Sequence, residues 1–226
     1  MRQLDAGRRG AETGKAERLI ILVHGYGANG ADLLGLADPL GAHLPGTVFV
    51  APDAPNRCSG NPFGFEWFPI PWLDGSSEEA ARAGMNASLA ELDAFIDETM
   101  TREGVGPAQT LLLGFSQGTM MSLHLAPRRA EPLAGVVGFS GKLLEPAHLA
   151  SETVSRPPVL LIHGDQDEMV PLASMPAAEN ALRDAGFEVA THVSRGSGHG
   201  IAPDGLGVAL GFMRDKLDVG KAGRNT

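Results

Sequence analysis

The run Thr110-Leu111-Leu112-Leu113 leads into Gly114-Phe115-Ser116-Gln117-Gly118, and Thr119 to Ala126 follows before Pro127. The apolar run has the character of a strand buried on both faces. The segment after it reads as a helix that the proline stops. Strand, Gly-x-Ser-x-Gly, helix is the context of a nucleophile elbow. The constraint is steric. A serine on a strained turn projects its hydroxyl clear of the sheet, and bulky side chains two residues either side would meet neighbouring backbone. The helix that starts behind Ser116 also turns its positive end toward the place where negative charge would develop. The pattern alone is weak, because a glycine-rich turn can end any strand. A decoy, Gly138-Phe139-Ser140-Gly141-Lys142, also ends an apolar run but lacks the last glycine. Ser116 gains weight only from partners elsewhere in the chain.

Strand-like and helix-like stretches alternate along the sequence. Strands are expected at 18–23, 47–51, 110–113, 133–140, 158–163 and 188–194. Helices are expected at about 30–43, 77–102, 119–126, 175–184 and 204–217. The 77–102 helix owes its apolar stripe to Ala83, Ala87, Leu89, Leu92, Phe95, Ile96 and Met100. Such alternation implies an α/β fold, a mostly parallel central sheet with helices on both faces, whose functional groups gather at the carboxyl ends of the strands. A single domain over 18–217 accounts for the chain. Residues 1–17 are expected to form a short edge strand or a frayed end, and residues 218–226 a mobile tail.

Bulk properties exclude several classes. The net charge is −9, which disfavours nucleic acid and anionic membrane surfaces as partners. Cys58 is the single cysteine and cannot form an internal disulfide. Residues 1–18 lack the apolar core of a signal peptide, and no stretch is apolar enough to span a membrane. A cytoplasmic protein without integral membrane association is the expectation.

Gly25-Tyr26-Gly27-Ala28-Asn29-Gly30 opens a rival reading. Gly25, Gly27 and Gly30 match G-x-G-x-x-G after a strand, and Asp53 closes the next strand where a ribose-binding acid would sit. Against this dinucleotide reading, His24 precedes the first glycine, Pro52 and Pro55 bracket Asp53, and Ser116 is left without a role. The other use of such a turn is to aim a backbone N–H at an oxyanion.

A serine nucleophile needs an acid and a base later in the chain. His163-Gly164-Asp165-Gln166-Asp167-Glu168-Met169-Val170-Pro171 offers three acids on a turn after a strand: Asp165, Asp167 and Glu168. Among seven histidines, His199 alone follows the last strand with glycines on both sides. His24 and His163 read as structural strand-end residues, and no cluster has the spacing of metal ligands.

With these residues in view, the chain resembles the phospholipase/carboxylesterase family of α/β-hydrolases, which includes the acyl-protein thioesterases. The resemblance rests on His24-Gly25-Tyr26-Gly27 with Gly30, on Gly114 to Gly118, on His163 to Asp167 with Val170-Pro171, and on Gly198-His199. It covers about residues 18–217 and implies a single-domain α/β-hydrolase fold. It further implies a catalytic set of Ser116, Asp167 and His199, with Tyr26 and Gln117 as oxyanion donors through their backbone N–H groups. The implied reaction is hydrolysis of carboxylic esters, with lysophospholipids and acyl-protein or small-molecule thioesters as alternatives, and with neither metal nor cofactor. It leaves monomer and homodimer both open. Thr119 departs from the pattern, since the family usually has another glycine beside the elbow.

Five of the twelve aromatic residues fall between Phe63 and Trp72. Pro62, Pro69 and Pro71 interrupt them, so 56–76 is expected to be one long irregular segment. Phe65, Trp67 and Trp72 are assigned to an acyl-binding wall, because large amphipathic rings suit the mouth of an apolar pocket.

Overall fold

The computed structural model describes residues 3–220. The chain begins with β1 (Ala6–Arg9) and β2 (Arg18–Val23), then α1 (Gly30–Leu34), α2 (Ala37–Gly41) and β3 (Thr47–Pro52). Next come β4 (Asn56–Cys58), β5 (Asn61–Glu66), α3 (Pro71–Asp74) and the long α4 (Glu78–Glu103). The elbow lies between β6 (Thr110–Phe115) and α5 (Gln117–Leu125). After it come β7 (Gly135–Phe139), α6 (Pro146–Glu152), β8 (Val159–Gly164), α7 (Ser174–Asp184), β9 (Val189–Ser194) and α8 (Pro203–Lys216).

Among the described residues seven strands form one sheet in the order β1-β3-β2-β6-β7-β8-β9. β1 runs antiparallel to β3 at the edge, and the other neighbouring strands pair in parallel. The strands read as continuous apolar runs because both faces are covered. Along β2, Leu19, Ile21 and Val23 enter one apolar cluster with residues of α4, α5 and α7, while Ile20 and Leu22 enter a second with residues of α1, α2 and α8. All five are fully buried, each worth about 1.5–3 kcal/mol relative to exposure.

The strand order reverses at β2. From β2 the chain moves to β3 on one side, then returns to lay β6 on the other. The crevice at the carboxyl ends of β2 and β6 is thus a topological switch point, where open α/β sheets bind their ligands. The Tyr26 turn and Ser116 both border it.

Several expectations need revision. The 56–76 segment is not irregular throughout: β4 and β5 pair as an antiparallel hairpin with a register shift at Arg57/Cys58, and α3 follows. The single helix expected at 30–43 is two short ones, α1 and α2. The α4 stripe does not begin at Ala83 and Ala87, which are exposed; Met85 and Ser88 turn inward in their place. Of the tail expected at 218–226, residues 221–226 lie outside the described residues. Residues 218–220 form a turn in which the Val219 N–H donates to Arg214 O at 2.9 Å. Among the described residues no helix is long and apolar enough to cross a membrane.

Candidate active site

Ser116 stands between β6 and α5 with φ 53° and ψ −114°, a left-handed backbone that a non-glycine residue adopts at a cost of about 1–3 kcal/mol. Surrounding contacts hold it there. The Ser116 N–H donates to Phe139 O at 2.8 Å, tying the turn to β7. A Cβ on Gly118 would lie 1.9 Å from Val23 O, so only glycine lets α5 start against the end of β2. The decoy also acquires a reason. Thr119 Oγ1 donates to Phe139 O at 2.8 Å, and its methyl fills the space where Cβ atoms of Gly138 and Gly141 would stand. The decoy glycines make room for Thr119, and Ser140 beside them is buried.

Ser116, His199 and Asp167 are brought together from three separate strand ends. His199 Nδ1–H donates to Asp167 Oδ2 at 2.8 Å, which leaves Nε2 as the acceptor for the Ser116 hydroxyl at 3.0 Å. Phe115 packs its ring on the imidazole with centroids 5.0 Å apart. The Asp167 side chain is fully buried. Burial opposes its ionisation, but the N–H of Val170, the His199 ring and the N–H of Met169 outweigh it, and the carboxyl is held below its ordinary range. Those two backbone groups donate to Oδ1 at 2.8 and 2.9 Å, so the other oxygen is free to face His199. Asp165 has a different task. Its Oδ1 accepts the Gly196 N–H at 2.6 Å, tying the acid turn to the loop that carries His199.

The Tyr26 turn is shaped by neighbours on all sides. His24 is buried, donates from Nδ1 to Gly25 O at 2.7 Å and accepts the Ala54 N–H on Nε2 at 2.9 Å. An Nε2 that accepts a hydrogen bond belongs to a neutral ring, and burial pushes the pKa down in the same sense. The β4–β5 hairpin grips the turn from outside. Phe65 exchanges backbone hydrogen bonds with Gly27 and Ala28, both at 2.8 Å, and Asn61 Nδ2 donates to Gly27 O at 2.8 Å. The Tyr26 hydroxyl lies 3.3 Å from Ser59 Oγ, and burial pushes the phenol up to about 12. Among the described residues the backbone N–H groups of Tyr26 and Gln117 have no backbone acceptor.

A cavity of about 810 Å³ opens over Ser116 and His199. Tyr26, Gln117 and Phe115 border it, as do Phe68, Ile70, Met85, Met120, Leu144 and Val170. The assignments of the aromatic wall divide. Trp72 lines the cavity and is 70% exposed. Trp67 does not line it: the ring is fully buried against His24 and its Nε1–H donates to His24 O at 3.0 Å. Phe65 does not line it either, since its ring lies under the Arg57 guanidinium at 4.3 Å. Residues the sequence reading missed, among them Met85, Met120 and Leu144, come from α4, α5 and the segment after β7. They carry no local signal beyond ordinary core periodicity.

The dinucleotide reading finds its residues committed elsewhere. Asp53 Oδ1 accepts the Gly30 N–H at 2.7 Å, and a Cβ on Gly30 would lie 2.2 Å from Ala51 O. The acid caps α1, and the glycine serves helix-to-strand packing. Among the described residues no three His, Cys, Asp or Glu side chains are grouped as metal donors.

Sheet, elbow and site together define an α/β-hydrolase. The chain belongs to the phospholipase/carboxylesterase family, whose sequence profile matches residues 10–217. It is 30% identical over 201 residues to esterase YpfH of Escherichia coli (strain K12), covering 88% of this chain and 83% of that protein. It is 31% identical over 228 residues to acyl-protein thioesterase 1 of Eremothecium gossypii, covering 95% of this chain and 94% of the relative. The crystal structure of esterase PE8 superimposes with a TM-score of 0.90 at 45% identity, covering 95% of this chain and all of that one.

Proposed function

We propose that this chain, an ester or thioester hydrolase by its family, cleaves carboxylic acyl esters through an acyl-enzyme on Ser116. The observation that carries the reading is the His199 ring, bound on one side to Asp167 at 2.8 Å and on the other to Ser116 at 3.0 Å. His199 Nε2 takes the hydroxyl proton as Oγ attacks the acyl carbon, and Asp167 holds the tautomer and balances the imidazolium charge. The N–H groups of Tyr26 and Gln117 bind the tetrahedral oxyanion. His199 then protonates the leaving group and accepts a proton from water; the water oxygen attacks the acyl carbon, and Ser116 Oγ leaves with that proton from His199.

The acyl chain goes to the apolar cavity, where each buried methylene contributes about 0.8 kcal/mol. A single chain also suits a lysophospholipid. A thioester substrate is the second reading, favoured by relatives named acyl-protein thioesterase 1. Fluorophosphonate labelling followed by matched oxygen and sulfur ester series tests both. Labelling at Ser116 with turnover of the oxygen esters supports the first reading. Turnover confined to thioesters moves it to the second, and absence of labelling at Ser116 removes both.

A further inference from the structure

Asp167 Oδ2 has a second neighbour besides His199. The Nε2 of His163, four residues back at the end of β8, lies 3.3 Å from it, and the His163 side chain is 1% exposed. The same Nε2 lies 2.8 Å from Val170 O. A carbonyl oxygen only accepts, so Nε2 carries the proton and the ring is a donor at this point. That N–H is directed to Val170 O at the far end of the acid turn, and Asp167 Oδ2 lies beside it without completing a second hydrogen bond. The turn is closed from the other side by the Met169 and Val170 N–H groups on Oδ1. Val170, held by its carbonyl on His163, thus holds Asp167 by its N–H.

We propose that His163 is a positioning residue for the acid, and this rests on the assignment of Asp167 and His199 above. Its bond to Val170 O fixes the residue whose N–H holds Oδ1, and so keeps Oδ2 toward His199 Nδ1. The same N–H, its nitrogen 3.3 Å from Oδ2, also presents the positive end of its dipole to the carboxylate. A carboxylate stripped of this donor binds a proton more readily and draws one more strongly onto His199. Both effects raise the proton affinity of the Asp167–His199 pair. Of the other ionisable groups of the turn, Glu168 is exposed and Asp165 is half-buried with its Oδ1 on the Gly196 N–H, and both are the same in all three proteins.

Three proteins test this: wild type, His163→Met, which fills the space without a donor, and His163→Gln, whose amide N–H restores one. Rates are expressed per site titrated with a fluorophosphonate. His163→Met is expected to lose about twofold to tenfold in kcat, the worth of one hydrogen bond to a neutral carbonyl, with KM unchanged. The acid limb of its kcat/KM profile moves to higher pH. His163→Gln recovers most of both. Full kcat per site in His163→Met, or equal losses in both variants with an unmoved acid limb, overturns the proposal. Should neither variant fold, ¹⁵N-histidine spectra of the wild type decide. They must show His163 as the Nε2–H tautomer, and the Nδ1–H tautomer overturns the inference. Activity surviving in Ser116→Ala would instead sink the site assignment, with the His163 tautomer untouched.

Discussion

The indole Nε1–H of Trp67 donates to the backbone carbonyl of His24 at 3.0 Å, with the two rings 5.5 Å apart. The bond ties the segment after β5 to the residue that begins the Tyr26 turn. Gln117 completes the tie from the other side, accepting the Trp67 N–H at 2.9 Å and donating to Phe68 O at 2.7 Å. Trp67 is therefore a structural residue under the site, and Trp72 is the ring that meets the cavity.

A pair of truncations separates these roles. Trp67→Ala is expected to lose about 3–5 kcal/mol of stability. Trp72→Ala, at an exposed position, should stay within about 0.5 kcal/mol of wild type. Urea denaturation measures both. On substrates the order inverts: Trp72→Ala changes the ratio of kcat/KM between acetyl and longer acyl esters, and Trp67→Ala leaves that ratio near wild type in whatever folded fraction remains. A selectivity change confined to Trp67→Ala would return that residue to the site.

With Ser116 as the proposed nucleophile, Ser116→Ala should lower kcat by about 10⁴ to 10⁶, the range for serine triads, with the fold intact. Removing the side chain leaves the elbow backbone strained but still bonded to Phe139 O. Fluorophosphonate labelling and circular dichroism on the same preparation check the outcome. Persistent labelling, or its transfer to the buried Ser140, would contradict the assignment.

Much of this site was legible because its parts sit on strand ends that announce themselves. β6 is buried on both faces, so its sequence is an unbroken apolar run, and the glycines of the elbow are demanded by backbone contacts. The β4–β5 hairpin was not legible. Its strands are short, Pro62 lies inside one, and a bulge at Arg57/Cys58 breaks the alternation that marks a strand. The cavity wall was illegible for a different reason. Met85 and Leu144 become neighbours of Ser116 only through packing of distant elements, which periodicity within one element cannot reveal. Trp67 misled because an amphipathic ring suits a pocket mouth and a buried hydrogen bond equally well.

Asp167→Asn and Asp165→Asn form the next comparison. The first replaces the acceptor of His199 Nδ1–H by a neutral amide that favours the wrong tautomer, so kcat should fall on the order of 10⁴. The second weakens only the bond to the Gly196 N–H, a loss of about 1 kcal/mol in stability. Steady-state kcat/KM for both variants decides it. Equal losses would move the acid to Asp165 or spread it over the turn.

Two buried histidines set an acid limit on stability. Burial pushes the pKa of His24 down, and burial with the nearby Arg128 charge does the same for His124. Both therefore bind a proton less readily in the fold than in the unfolded chain, where histidine titrates near pH 6.5. Above that value neither state binds the proton and the full stability is present. Below it the unfolded state binds more protons, and stability falls toward the depressed folded pKa. The urea midpoint should drop between about pH 7.5 and 5.5. His124 lies outside the site and its Nδ1 is buried without a partner among the described residues. His124→Leu should flatten the drop while activity persists; an undiminished slope would clear His124 of the effect.

Thr119 and Gly138 should behave as one unit. A Cβ on Gly138 would stand 2.6 Å from Thr119 Cγ2, with no other neighbour closer than 3.5 Å. Gly138→Ala therefore overpacks the space between β7 and α5 against a single methyl, at about 1–3 kcal/mol. Thr119→Ala removes that methyl and the Oγ1 donor to Phe139 O, a loss of about 1 kcal/mol, and Phe139 O keeps the Ser116 N–H. In the double variant the clash is gone, so its cost should fall short of the summed single costs by about 1–2 kcal/mol, the range expected of residues in contact. A double-mutant cycle by urea denaturation gives this coupling directly. The same strain reaches the elbow, because Phe139 O holds the Ser116 N–H, so Gly138→Ala should lower kcat/KM and the double variant should restore it. Additive stabilities would mean that the backbone yields at Gly138, and that Thr119 is not what excludes a side chain there.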